Sequence, residues 1–287
     1  MSTSGARLAI IVTALLFSTG GAAIKACDLS GWVVAGLRSG IAALTILVYF
    51  RNCWRPGNWQ TLALALAYAG VLVFFTLATK LTTAANAIFL QSTAPLYMIL
   101  LGPALIGEKP QRGDWPLFLA IALGMGMFFI GQPPTQVSAP NPFLGNIFGL
   151  AAGACWAATL MGLRARGRGG MGQGAQTVVF WGNVIAFLVA APFYSSLSLG
   201  VSDIWVLLYL GVLQIGLAYI LLTLAFAHVP ALEASMLLFL EPVLNPVWTW
   251  VLHGEQPGAW AIAGGVLILG ATVTRTLWAG AQRRVSR

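Results

Sequence analysis

Hydrophobic residues fall into ten runs separated by short polar breaks: residues 8–26, 32–50, 59–78, 84–106 and 115–131, then 143–163, 174–193, 204–227, 232–252 and 260–278. Each is close to the roughly 20 residues that a helix needs to cross the hydrocarbon core of a bilayer. Lipid offers no partner to backbone N–H and C=O groups, so helices are expected, and the runs are too long for transmembrane strands. The first run follows MSTSGAR as a signal peptide would, but a second run follows at once and the first contains Gly20-Gly21. We expect it to be a retained membrane helix. The break QPPTQVSAPNP, residues 132–142, divides the runs into five and five.

The two sets echo one another. Residues 84–110, AANAIFLQSTAPLYMILLGPALIGEKP, match residues 231–257, ALEASMLLFLEPVLNPVWTWVLHGEQP, at a separation of 147. Ala84, Ala87, Leu90 and Pro95 correspond to Ala231, Ala234, Leu237 and Pro242, and the G-E-x-P exits put Gly107, Glu108 and Pro110 opposite Gly254, Glu255 and Pro257. An odd number of spans per half makes the halves enter the membrane from opposite sides. Such an inverted repeat suits alternating access at its interface. The expected organisation is an all-α polytopic membrane protein of ten helices in two inverted five-helix repeats: residues 7–131, a connecting loop 132–142, residues 143–279, and a basic cytoplasmic tail 280–287.

Composition agrees: 59% of the 287 residues are hydrophobic and 8% charged, with mean hydropathy +0.85. Soluble proteins carry about a quarter charged residues. The net charge of +8 lies in short loops and at the C-terminus rather than on one amphipathic face, so nucleic acid is not the expected partner. With the N-terminus inside, twelve Lys and Arg residues fall on the cytoplasmic side and only Lys25 and Lys80 outside, while Arg38 lies within a span. This positive-inside bias places both termini in the cytoplasm. Lys25 and Lys80 are expected to be solvent-exposed boundary residues, with Asp28 a local partner for Lys25.

Polar residues inside the runs are the candidate chemistry. Glu241, Asn245 and Trp248 recur at helical spacing, on one face of the ninth span, with Pro242 and Pro246 bending it. A carboxylate at that depth is costly unless paired, hydrated or protonated, which leaves substrate binding, proton coupling or a packing network open. Gln91, four residues before Pro95, is the corresponding feature of the fourth span. Arg38 either binds a substrate carboxylate, pairs with Glu241, or snorkels to the headgroups. Ser18, Trp156, Asn183 and Gln214 offer small, aromatic and amide groups either for a cavity or for close helix packing. Glu108 and Glu255 suit turns or gates. The three cysteines and two histidines lack metal-ligand spacing, the Gly-rich segment 167–174 lacks a Walker ending and reads as a flexible cytoplasmic loop, and no triad or paired-carboxylate centre emerges. No cofactor, metal or enzymatic reaction is expected.

These features, above all Ala94-Pro95 through Gly107-Glu108-Lys109-Pro110 and Glu241-Pro242 through Gly254-Glu255-Gln256-Pro257, make residues 7–279 resemble the EamA branch of the drug/metabolite transporter superfamily. Within it the chain is similar to the YddG-type aromatic amino acid exporters. The resemblance implies a ten-helix carrier of a bacterial inner membrane that exports amino acids, including aromatic ones, by alternating access, with the fifth and tenth spans peripheral. On that reading Ser18, Arg38, Gln91, Trp156, Asn183, Gln214, Glu241 and Asn245 bind substrate, and Pro95, Gly107, Glu108, Pro110, Pro242, Pro246, Gly254, Glu255 and Pro257 shape bends and gates. A broader metabolite or drug exporter is the alternative within the class, and a non-transporting receptor or scaffold the alternative outside it.

Overall fold

The computed structural model describes residues 1–55, 57–105, 107, 114–130, 138–166, 174–196, 198–226, 228–229 and 231–285. Glu108, Pro110, most of the linker and nearly all of the Gly-rich segment lie outside them, and of the basic tail only the backbone to Val285 is described. The described residues form α1 (Thr3–Ser18), α2 (Gly20–Lys25), α3 (Gly31–Tyr49), α4 (Trp59–Leu81), α5 (Ala84–Gln91), α6 (Ala94–Leu105) and α7 (Asp114–Ile130). The chain continues with α8 (Pro142–Arg166), α9 (Ala175–Val189), α10 (Val201–Leu208), a π-helical segment (Tyr209–Leu217), α11 (Ala218–Phe226), α12 (Ala231–Leu238), α13 (Leu240–His253) and α14 (Ala259–Val285).

By length and composition, eight helical stretches suit a membrane crossing: Thr3–Lys25, Gly31–Tyr49, Trp59–Leu81, Ala84–Ala104, Pro142–Leu163, Val201–Phe226, Glu233–His253 and Ala259–Trp278. The remaining two expected spans are shorter apolar helices, α7 of 17 residues and α9 of 15. At 1.5 Å per residue they reach only about 26 and 22 Å. Beyond α9 the chain tightens into a 3-10 turn at Ala191–Ser196, which the hydrophobic run alone did not distinguish from helix.

Three of the expected long helices are interrupted. The first breaks at Thr19, the fourth at Ser92-Thr93 and the ninth at Phe239. Pro95 and Pro242 therefore do not bend a continuous helix: each sits in the first turn of the piece after the break, where no intrahelical N–H bond is required. Pro246 alone of the three lies inside its helix. The 147-residue echo persists in backbone detail, since α5 and α12 share both ends at that offset and Gly107 and Gly254 have φ of 69° and 67°. A left-handed residue ending a helix is a glycine position because a Cβ is strained there.

The helices pack in matching pairs: α4 on α8 and α11 on α1; α4 on α9 and the π segment on α3; α5 on α8 and α12 on α1. The α3·α9, α5·α13 and α7·α14 contacts each join one half to the other. Small residues permit these approaches, as expected where lipid supplies no hydrophobic drive between helices. Opposite faces divide cleanly. On α13, Pro242, Asn245, Pro246 and Thr249 are buried, whereas Val243, Val247, Trp250 and Val251 are exposed. Such contiguous apolar exposure marks a surface made for lipid.

Candidate functional site

The break in the first helix gathers three of the expected site residues. Ser18 and Thr19 donate their hydroxyls back to Leu15 and Leu16 carbonyls at 2.7 Å each, competing with the helical ladder. Thr19 also meets the Tyr209 hydroxyl of the π segment at 2.7 Å. Beyond it, Gly20 and Gly21 present bare backbone. A Cβ on Gly20 would come within 2.7 Å of Gln214 Nε2, and one on Gly21 within 2.5 Å of Asn245 Oδ1. Two amides, one from the π segment and one from α13, thus rest on consecutive glycines, while Trp248 donates its Nε1–H to Ser18 at 2.9 Å.

These amides lack the partners that burial normally demands. Asn245 Oδ1 and Nδ2 and Gln214 Oε1 are buried without a hydrogen-bond partner among the described residues, as is Asn183 Oδ1 on α9. Each such group costs about 1–3 kcal/mol, so a cluster of them calls for a purpose. A π turn beside them fits that pattern, because it widens the helix and redirects its side chains at functional sites.

A second group forms around Arg38. This side chain is 2% exposed, so it does not snorkel, and its Nη2–H donates to Leu72 O of α4 at 3.0 Å. No ion pair joins it to Glu241 among the described residues. The Tyr68 and Tyr219 hydroxyls lie within electrostatic reach of the guanidinium, and Asn183 and Tyr219 lie near the Tyr68 hydroxyl without a well-aligned bond. Tyr219 links the two groups: its ring lies 5.1 Å from Phe17 and 5.4 Å from Tyr68, and Glu241 lies within electrostatic reach of its hydroxyl. Tyr68 has only one visible signal in the sequence, a hydroxyl amid an apolar run. Half-buried Trp156 packs between the Tyr68 cluster and Tyr97 and Met98. Gln91 stands apart on the α5–α8 side, its Oε1 buried and unpartnered among the described residues.

At the Lys25 end of the bundle, the expectation of solvent-exposed lysines fails. The Lys25 side chain is 6% exposed and pairs with Glu255 at 2.7 Å, not with exposed Asp28. It also donates to Thr82 O at 2.9 Å and to Ser138 O. Glu255 accepts the Ala84 N–H at 2.6 Å, capping α5. Nearby, Lys80 donates to Cys27 O, and Asp203 accepts from Cys27 Sγ at 3.2 Å and from the Asp28 and Gly200 N–H groups at 3.0 and 3.1 Å. His253 meets Ala22 O at 2.8 Å. At the opposite end, Ala6, Ala9 and Ile10 of α1 pack in one buried cluster with Ala234 of α12, and the charged contacts are Arg7–Glu233 at 2.5 Å, half exposed, and the N-terminal amine against His228 at 3.2 Å. Gly254 ends α13, and Glu255 and Pro257 follow in the non-helical stretch before α14. Among the described residues no group of three or more His, Cys, Asp or Glu is placed to hold a metal.

Comparison with known proteins places this arrangement. The pseudopaline exporter CntI of Pseudomonas aeruginosa is 28% identical over 281 residues, covering 94% of this chain and 95% of that one. The uncharacterized transporter YdfC of Bacillus subtilis is 30% identical over 96 residues, 33% of this chain and 31% of that one. A crystal structure at 20% identity covers 99% of both chains with a TM-score of 0.64, a likeness of fold. The model of the EamA-like transporter family matches residues 4–130 and again 143–276. This multi-pass, all-helical membrane protein belongs to the EamA-like transporter family.

Proposed function

We propose that the protein is a secondary-type carrier that exports small metabolites across a bacterial inner membrane by alternating access. The observation that carries the reading is the convergence of interrupted helices and a π segment on buried, unpartnered amides, Gln214 and Asn245. Broken helices with free polar groups are how carriers build a polar site inside lipid. Ser18, Arg38, Asn183, Gln214, Glu241 and Asn245 form its polar wall, with Trp156 beside them and Gln91 on the far side. Lys25–Glu255 is its gate on one side. The matching helix pairs, the shared ends of α5 and α12 and the two family matches support ten membrane helices in two inverted halves, residues 7–131 and 143–279. The charge distribution supports cytoplasmic termini.

The wider metabolite class is the better supported cargo, because the relative that matches nearly the whole chain is named for pseudopaline. Amino acids, including aromatic ones, remain a second reading, favoured by the ring cluster of Phe17, Tyr68 and Tyr219. Purified protein in liposomes preloaded with candidate metabolites tests the carrier: saturable counterflow with competition is expected. Ligand binding without flux would instead make the protein a receptor, and rapid nonsaturating flux a channel. The assay under imposed pH gradients decides whether protons are coupled.

A further inference from the structure

Among the described residues, the charge inventory around Arg38 does not close. The chain has seven acidic residues. Glu255 is paired with Lys25, Glu233 with Arg7 and Asp114 with Arg275. Asp203 is engaged by Cys27, Asp28 and Gly200, Asp28 itself is exposed, and Glu108 lies outside the described residues. Glu241 lies within electrostatic reach of Tyr219, and among the described residues no ion pair joins it to Arg38. The guanidinium is nevertheless among the most deeply buried large side chains of the protein, with Nε lacking a partner among the described residues. A cation taken out of water without an anion costs several kcal/mol. One carbonyl bond, to Leu72, does not offset that. Within electrostatic reach of Arg38 lie the Tyr68 and Tyr219 hydroxyls, on rings 5.4 Å apart, with the Tyr68 hydroxyl and Asn183 Oδ1 buried and unpartnered among the described residues.

We propose that Arg38 is a substrate-binding residue whose missing counter-ion is a carboxylate on the transported metabolite, received at the guanidinium with the Tyr68 and Tyr219 hydroxyls as additional donors. The inference rests on the carrier reading and narrows its cargo to organic carboxylates. Guanidinium fits a carboxylate through parallel N–H bonds, a geometry that lysine cannot reproduce. The same group accounts for the position of Arg38 at the α3–α4 interface within electrostatic reach of half-buried Tyr219, rather than at the headgroups. Substrate arrival would neutralise the buried charge, so loaded carrier carries a smaller electrostatic penalty than empty carrier.

The test compares matched probes on the intact protein: L-phenylalanine, L-histidine, 3-phenylpropionate and succinate, each beside its carboxamide, by calorimetric binding in detergent and by counterflow in liposomes. At least one acid should bind about tenfold or more tightly than its amide. Arg38→Met should erase that preference, and Arg38→Lys should keep part of it, as a charge without the fork. The native-protein comparison needs no variant, so a misfolded Arg38→Met cannot rescue or sink the idea. Equal binding of acid and amide, or a preference surviving in Arg38→Met, overturns it. Counterflow of substrates that all lack a carboxylate overturns it while leaving the carrier standing, and neither binding nor flux across the panel removes both.

Discussion

At Asn245 both polar side-chain atoms are buried and unpartnered among the described residues, and the contact at Gly21 leaves no room for a methyl group. Those two facts separate folding from transport. Replacing Asn245 with leucine removes an unsatisfied amide of similar size, so its thermal stability should hold or rise by about 1 kcal/mol. Metabolite counterflow should nevertheless fall at least about tenfold. Loss of stability in step with flux would make Asn245 a packing residue. Gly21→Ala meets the opposite problem, overpacking worth about 1–3 kcal/mol, and should lower the melting temperature and the flux together. Glu241, Asn245 and Trp248 were legible as one face because helical spacing is local. That Gln214 meets Gly20 was not, since nothing in the sequence specifies which helix packs against the first break.

Among elements, the discontinuities differ in what their prolines do. Pro242 occupies a first-turn position, so Pro242→Ala should change stability by less than about 1 kcal/mol. Pro246 removes an interior bond, and Pro246→Ala should restore it, stiffen α13 and slow counterflow. Unchanged flux in Pro246→Ala would remove the bend from the mechanism. The Lys25–Glu255 pair ties the end of α2 to the end of α13 and, through Ala84, to the start of α5. Breaking such a buried pair on one side strands a charge and costs about 3–5 kcal/mol, whereas removing both partners is far milder. Lys25→Met and Glu255→Leu should therefore each destabilise strongly, and the double variant should recover most of the loss in a thermal double-mutant cycle. Additive losses would show that the pair does not act as a unit. Sequence spacing suggested a boundary role for Glu255, but its partner, 230 positions away, emerged only from folding.

For the whole molecule, the Lys25 end is tied by buried charges and backbone bonds, whereas the Arg7–Glu233 pair between α1 and α12 is half exposed. Cys27 reports on the tied end. Burial, with the Asp203 carboxylate adding to it, pushes its thiol up to about 11, and only the thiolate reacts readily. Maleimide labelling of Cys27 should accordingly be slow at neutral pH, should speed up as pH approaches that value, and should be faster at any one pH in Lys25→Met, where the tie to Glu255 is lost. Equal labelling rates in the native and Lys25→Met proteins would place the gate elsewhere.

The sequence by itself determined that the chain is helical and membrane-embedded, where its apolar stretches lie, that residues 84–110 and 231–257 echo each other, and which polar residues sit at depth. Those properties follow from local length, hydropathy and spacing, and they survive in the shared ends of α5 and α12 and the matching φ of Gly107 and Gly254. Tertiary structure decided the rest. It put full interruptions before Pro95 and Pro242, built the helix around Gln214 as a π segment, ended α9 early in a 3-10 turn, buried Lys25 on Glu255, and set Arg38 inside the bundle with no ion pair to Glu241 among the described residues. Partner choice among helices of similar hydropathy is made by the fit of small residues and the pairing of buried polar groups, and both depend on residues hundreds of positions apart.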